Sequence, residues 1–195
     1  MRMARPREFD VDIVTNRALG LFAREGYECT SLADLENETG VDRKGLYNTF
    51  GSKHGLFIEA LKRYEERAIE VLVAPLESAG AGRPEIVHVF GIMASQRGQL
   101  KENRGCLFCL TAQSDVAQSE EVDDRVQGFL QRFRHGFANA LRGARTVGDL
   151  APHKKPEVMA DFLMGTVMGL SAMVRARRPN AQIMHYVDTA LSTLD

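Results

Sequence analysis

The chain of 195 residues is 44% hydrophobic and 26% charged, with no Trp and a net charge of -1, a composition that excludes a disordered or compositionally biased protein. Near-neutral charge gives no polyanion-binding signature, so any contact with nucleic acid has to come from the placement of a few basic side chains. Three Cys argue against a disulfide framework and for a reducing cytoplasm. No apolar signal-type segment follows the basic N-terminus, and Phe162 to Val174, the most apolar stretch, is short for about 30 Å of hydrocarbon; a soluble cytoplasmic protein with no membrane partner is expected.

Helical periodicity runs through the chain and no alternating strand pattern is found. Val14, Ala18, Leu21 and Phe22 share one face of a first helix, with Asp10 as N-cap and Gly26 just past its end. Ser31 with Asp34 three residues on has the form of a capping box, opening a short helix that stops at Gly40. Asp42 can cap the next helix, Arg43 to Thr49, and Gly51 closes it. Ser52 then opens a long connector whose apolar stripe runs from Phe57 through Ala60, Leu61, Tyr64 and Ala68 to Val71 and Leu72. A loop is expected over 78–84, where Pro84 suits the first turn of the following helix. Further helices are expected over 84–100, 105–117, 120–143, 156–177 and 180–194, and the fold class is all-α.

The stretch 30–57 carries the chemistry: helix, Gly turn, two-turn helix, Gly turn, long helix, which is helix-turn-helix spacing. Leu32, Leu35, Val41, Leu46 and Phe50 can lock the short helices inward, while Arg43, Lys44, Gly45, Asn48 and Thr49 supply a small and polar outer side. Lys44 can reach guanine acceptors in a major groove, and Gly45 lets backbone come close. Tyr47 and Lys53, with His54 beside it, can hold phosphates. Thr30 and Ser31, at a helix N-terminus, suit a phosphate as well. A bland alternative is a helical hairpin with a solvated charged face, on which Tyr47 would merely pack.

The run Phe9, Ala18, Phe22, Gly26-Tyr27, Thr30-Ser31-Leu32, Gly40-Val41, Leu46-Tyr47-Asn48-Thr49-Phe50, Lys53 and Leu56-Phe57 resembles the DNA-binding domain of the tetracycline-repressor (TetR) family. That resemblance implies an all-helical homodimer whose N-terminal heads bind a palindromic double-stranded operator and whose C-terminal domain binds a small inducer, here of unknown identity. On this basis residues 1–50 are expected to read DNA and 51–195 to bind the effector and dimerise. Asn103-Arg104-Gly105-Cys106-Leu107 resembles one branch of the family that has a similar Gly-Cys-Leu run.

The remaining candidates lie in the second part. Phe90, Met93, Cys106, Cys109, Phe137, Met164 and Met168 fall on amphipathic faces and are expected to line an apolar effector pocket; ordinary core packing is the competing reading for each. Cys106 and Cys109, at i and i+3, share a helical face and offer a thiol-based redox or electrophile sensor as an alternative input. Gly165, Gly169 and Ala172 leave a smooth strip, and Ile183, Val187, Ala190, Leu191 and Leu194 give the last helix an apolar face; together they are the expected dimer interface. No metal-ligand spacing joins the histidines, no cofactor is implied, and a helical enzyme with Cys106 as nucleophile lacks a phosphate loop, zinc signature or nucleophile elbow. A transcriptional activator of the same fold is the other alternative to a repressor.

Overall fold

The computed structural model describes residues 9–95 and 105–195, and among these every regular element is helical. In chain order they are α1 (Val11–Glu25), α2 (Leu32–Thr39), α3 (Arg43–Phe50), α4 (Lys53–Ala68), a π turn (Ile69–Val73), α5 (Ala74–Glu77), α6 (Arg83–Ala94), α7 (Leu107–Thr111), a 3-10 turn (Asp115–Gln118), α8 (Glu120–Val147), α9 (Pro156–Arg175) and α10 (Asn180–Ser192). Residues 96–100 of the expected helix 84–100, and Asn103 and Arg104, lie outside the described residues.

The chain forms two compact units, up to Tyr64 and from Glu65 onward. Sequence spacing places all of the connector with the second part. By compactness the first unit extends through most of α4, because Leu56, Phe57, Ala60 and Leu61 are buried and Phe57 meets the ring of Phe22 from α1 edge-on at 5.0 Å. Local signals set the ends of its helices. The Asp10 carboxylate accepts from the backbone N–H groups of Asp12 and Ile13, Ser31 and Asp34 form the reciprocal box, and Asp42 accepts from Gly45 N at 2.7 Å. Each cap satisfies amide donors that a helix start otherwise leaves open. Gly40, at φ 74°, closes α2 in the left-handed conformation.

In the second unit the apolar row of α8 stacks into a file of phenylalanines. Phe108 lies 4.3 Å from Phe129, Phe133 lies 4.9 Å from Phe137, and Phe137 lies 5.8 Å from Phe90; all five rings are fully buried. Arginines on α8 tie it to its neighbours. Arg132 forks onto Glu77 at 2.9 and 2.7 Å, Arg125 pairs with Glu65, and Arg142 pairs with Glu157.

Several elements depart from the periodicity reading. The connector is helical to Glu77 but passes through a π turn, where the N–H of Ala74 donates to Ile69 O. Pro75 lacks an N–H and its ring crowds the carbonyl four residues back, so a widened turn just ahead of it relieves the clash. The helix expected over 105–117 is instead α7 and a 3-10 turn, broken where the Ser114 hydroxyl donates to Thr111 O and competes with backbone pairing. Gly143 does not end α8, which continues to Gly148. The lack of a Cβ at Gly143 is needed for packing: one there would sit 2.0 Å from Ala81 O. Finally, α9 begins at Pro156 and so, at 20 residues with mean hydropathy 1.4, is long and apolar enough to cross a membrane by length and composition, contrary to the shorter span read from Phe162. Its Ala160, Leu163, Val167, Leu170 and Val174 row is buried in the second unit.

Candidate nucleic-acid interface

The first unit presents α3 with its two sides sharply divided. Arg43, Lys44, Tyr47 and Asn48 are exposed and, spaced i, i+1, i+4 and i+5, share one face. Leu46 is buried on the other. Among the described residues Lys44 makes no ion pair or hydrogen bond through its side chain, so its ammonium is available to a ligand. Arg43 is steadied from α2: its backbone N donates to Glu36 Oε1 at 2.6 Å and its guanidinium lies 3.6 Å from the same carboxylate. Thr49 falls on the half-buried side.

Gly45 is small for a different reason from the one its place on a reading helix suggests. A Cβ there would lie 2.8 Å from Val41 Cγ1 and 3.3 Å from Phe9 Cε1, so the glycine faces inward and lets α3 seat on its own unit. Close approach of backbone to a groove is not what requires it.

The expected phosphate contacts divide in the same way. Thr30 is only 1% exposed and its hydroxyl donates to Gly26 O at 2.6 Å; this removes it as a direct phosphate ligand. Ser31 is exposed, but its hydroxyl donates to Asp34 Oδ2 at 2.6 Å, and these bonds to Ser31 hold the Asp34 carboxyl below the ordinary carboxylate range. The start of α2 therefore already carries an anion.

Lys53 and His54 surround Tyr27, to which the sequence reading gives a place in the resemblance but no role in the site. Lys53 Nζ sits 4.2 Å from the centroid of the Tyr27 ring, and the His54 ring meets it edge-on at 6.2 Å. Burial pushes the Lys53 ammonium below the ordinary lysine range, partly offset by the negative charges of Glu28 and Cys29. Burial, then Glu28, pushes the Tyr27 phenol up. Tyr27 thus aims Lys53 from the first turn of α4, a cation–π seat that no local spacing in the sequence announces.

The second-unit candidates are brought together only in part. Phe90 and Phe137 stack on each other, and Cys106 and Cys109 are buried at the start of α7 with Met93 also in the core. Phe90, Phe137 and Cys109 are thus core residues here, while Met164 and Met168 are half-buried on α9. The expected dimer face needs correction. Ile183, Val187, Ala190 and Leu194 are at most 5% exposed within the single chain, and Leu191 is half-buried, because α10 lays this row on its own unit. Gly169 is likewise spent internally, since a Cβ there would strike Tyr186 Oη at 2.4 Å. Gly165 and Ala172 remain open to solvent. With Val158 and Phe162, 59% and 44% exposed, they make an outward row on α9 at i, i+4, i+7 and i+14, of which the sequence reading names Gly165 and Ala172 for the interface and neither Val158 nor Phe162.

Residues 14–60 match the family described as "Bacterial regulatory proteins, tetR family", and residues 86–190 match "Tetracyclin repressor-like, C-terminal domain". The chain is 30% identical over 197 residues to the HTH-type transcriptional repressor ComR of Escherichia coli (strain K12), covering 96% of this chain and 90% of ComR. It is 27% identical to the HTH-type transcriptional regulator YezE of Bacillus subtilis (strain 168), covering 99% and 100%. Among solved structures it resembles a cysteine-substituted TetR-family regulator, CifR, complexed with a 26-bp double-strand operator, with TM-score 0.81, 30% identity and coverage of 98% and 100%. These relatives are transcription regulators, and the reading of Cys106 as the nucleophile of an enzyme falls with them. The two matched segments, lying one in each compact unit and together spanning most of the sequence, make the chain a member of the TetR family of DNA-binding transcriptional regulators.

Proposed function

We propose that the protein is a repressor which binds a palindromic operator as a homodimer, through α3, and is released by a small molecule taken up in the second unit. The observation that carries the reading is the outward face of α3: Arg43, Lys44, Tyr47 and Asn48 point away from a helix pinned by the Asp42 cap and by Glu36. A short helix held this rigidly offers base edges a fixed set of donors. Lys53 and His54 on the Tyr27 platform are assigned to phosphates, with Ser31 at the rim. Repression is favoured over activation by ComR, a repressor by name and alike over nearly the whole of both chains.

For the dimer the proposal moves from the α10 row to the outward row of α9, with Phe162 at its centre. For the effector, Met164 and Met168 are the candidates left partly open, while Phe90 and Phe137 are buried in the core of the same unit. As a regulator of DNA the protein is taken to work in the cytoplasm.

Selection of bound genomic fragments followed by footprinting tests the whole reading. The expected result is a protected palindrome with half-sites about 34–36 Å apart and an affinity that falls steeply between about 50 and 200 mM salt. An affinity indifferent to salt, or protection without two-fold symmetry, would remove it.

A further inference from the structure

Among the described residues the arginines of the first unit are Arg17, Arg24, Arg43 and Arg63. Three of them use their guanidinium groups inside the unit: Arg17 Nη1 donates to Thr39 O at 3.0 Å, Arg24 Nη2 to Glu38 Oε2 at 2.7 Å, and Arg63 Nη2 to Asp12 Oδ1. Arg43 is the exception. Its guanidinium lies 3.6 Å from Glu36 Oε2, near enough for the charges to attract and too far for a hydrogen bond. Its direction is therefore set while its N–H donors stay open to a ligand.

Glu36 is fixed in place by its own helix and by the one that follows. Its neighbour Leu35 is buried, and the bonds from Arg24 to Glu38 and from Arg17 to Thr39 O tie the last turn of α2 to α1. Its other oxygen, Oε1, accepts from Arg43 N at 2.6 Å, so the carboxylate cannot swing away without opening the start of α3. One oxygen thus holds the helix and the other faces the guanidinium.

We propose that Glu36 is a specificity-determining positioning residue for DNA, which holds the Arg43 guanidinium toward base edges and opposes its use on phosphates. This rests on α3 being the reading helix. The arginine fork matches the O6 and N7 acceptors of guanine, and the first residues of a recognition helix are those that meet base edges. An untethered arginine at the same place reaches any phosphate that comes near, which adds affinity for every sequence and information about none. Beside a carboxylate the two outcomes separate. A phosphate brought to Arg43 is repelled by Glu36, whereas the uncharged edge of a guanine is not. Discrimination is a difference of affinities, and Glu36 enlarges it by weakening the wrong contact. It does so without touching DNA itself.

The test uses the full-length protein and two probes, a duplex of one arbitrary sequence and a library of duplexes randomised at every position. Glu36→Gln keeps an oxygen for Arg43 N but sets an amide NH2 beside the guanidinium in place of the charge. It is expected to bind the arbitrary duplex more tightly, with the slope of log affinity against log salt steeper by about 0.9 for each head bound. Sequencing of the bound library should show the preference for one guanine under each head reduced about tenfold or more. Arg43→Ala should remove the same preference without the tightening, and in that background Glu36→Gln should change the selected sequences no further. A Glu36→Gln protein with the parent's slope and the parent's sequences would overturn the proposal. So would weaker binding to both probes whether or not Arg43 is present, which would make Glu36 a support of α3 alone. A parent protein that enriches no sequence from the library would remove α3 as the reading helix, and the role of Glu36 with it.

Discussion

Lys53 shows how much a single contact changes the chemistry of a residue type. Because burial beside Tyr27 lowers its folded pKa, the unfolded chain holds more protons in the alkaline window between that value and the ordinary lysine value. Stability must therefore rise with pH through this window, while affinity for DNA falls there as the ammonium is lost. Thermal melts and binding titrations across the same pH range should move in opposite directions, and Lys53→Met should flatten that part of both curves. Lys44 belongs to a different class of contact. Lys44→Ala is expected to cost about 1–3 kcal/mol on the operator and to relax base preference, whereas Lys53→Ala should weaken operator and random duplex alike; equal losses on both duplexes for Lys44→Ala would deny it a reading role. The exposed face of α3 was legible in the sequence, since Arg43, Lys44, Tyr47 and Asn48 need only a helix period to fall together. Thr30 and Gly45 were misread because a hydroxyl bonded to Gly26 O and a missing Cβ turned toward Val41 are tertiary facts. The seat that Tyr27 gives Lys53 is illegible for the same reason, its partner lying on another helix.

At the scale of elements, caps were the most readable signals. Asp10, Ser31 with Asp34, Asp42 and the closing glycines set the ends of α1, α2 and α3 where the sequence places them, because a cap is a local contract between a side chain and two or three amides. Breaks inside helices were harder to foresee. Gly143 reads as a stop but serves as a notch for the Ala81 carbonyl, whereas Gly128 on the same helix faces open space. The two should respond to alanine with opposite sign. Gly143→Ala is expected to destabilise by about 1–3 kcal/mol through overpacking against backbone, and Gly128→Ala to stabilise by about 0.5–1 kcal/mol through helix propensity alone. Urea unfolding of the two variants measures both, and equal shifts would mean that the Ala81 loop yields freely.

For the whole molecule, the family and the division into two units were within reach of the sequence, but the surface left over for a partner was not. An apolar face on α10 reads identically whether it covers its own chain or a second copy, and only the packed unit shows that Ile183, Val187 and Ala190 are already covered while Phe162 is not. Phe162→Glu should accordingly convert the proposed dimer to monomer in sedimentation, with loss of operator affinity and an unchanged helical spectrum; a variant still dimeric at micromolar concentration would move the interface off α9. The π turn before Pro75 bears on a different matter, the history of the chain length. A π turn fits an additional residue into nearly the same helical rise, so the stretch from Lys53 to Glu77 holds one residue more than an unbroken α-helix between the same ends would require. A lineage that lost Pro75 could drop that residue and keep both flanks in register. A single-position gap is therefore expected to fall within 69–73 when this chain is set beside relatives without the proline, with Tyr64 and Leu76 keeping their counterparts on either side.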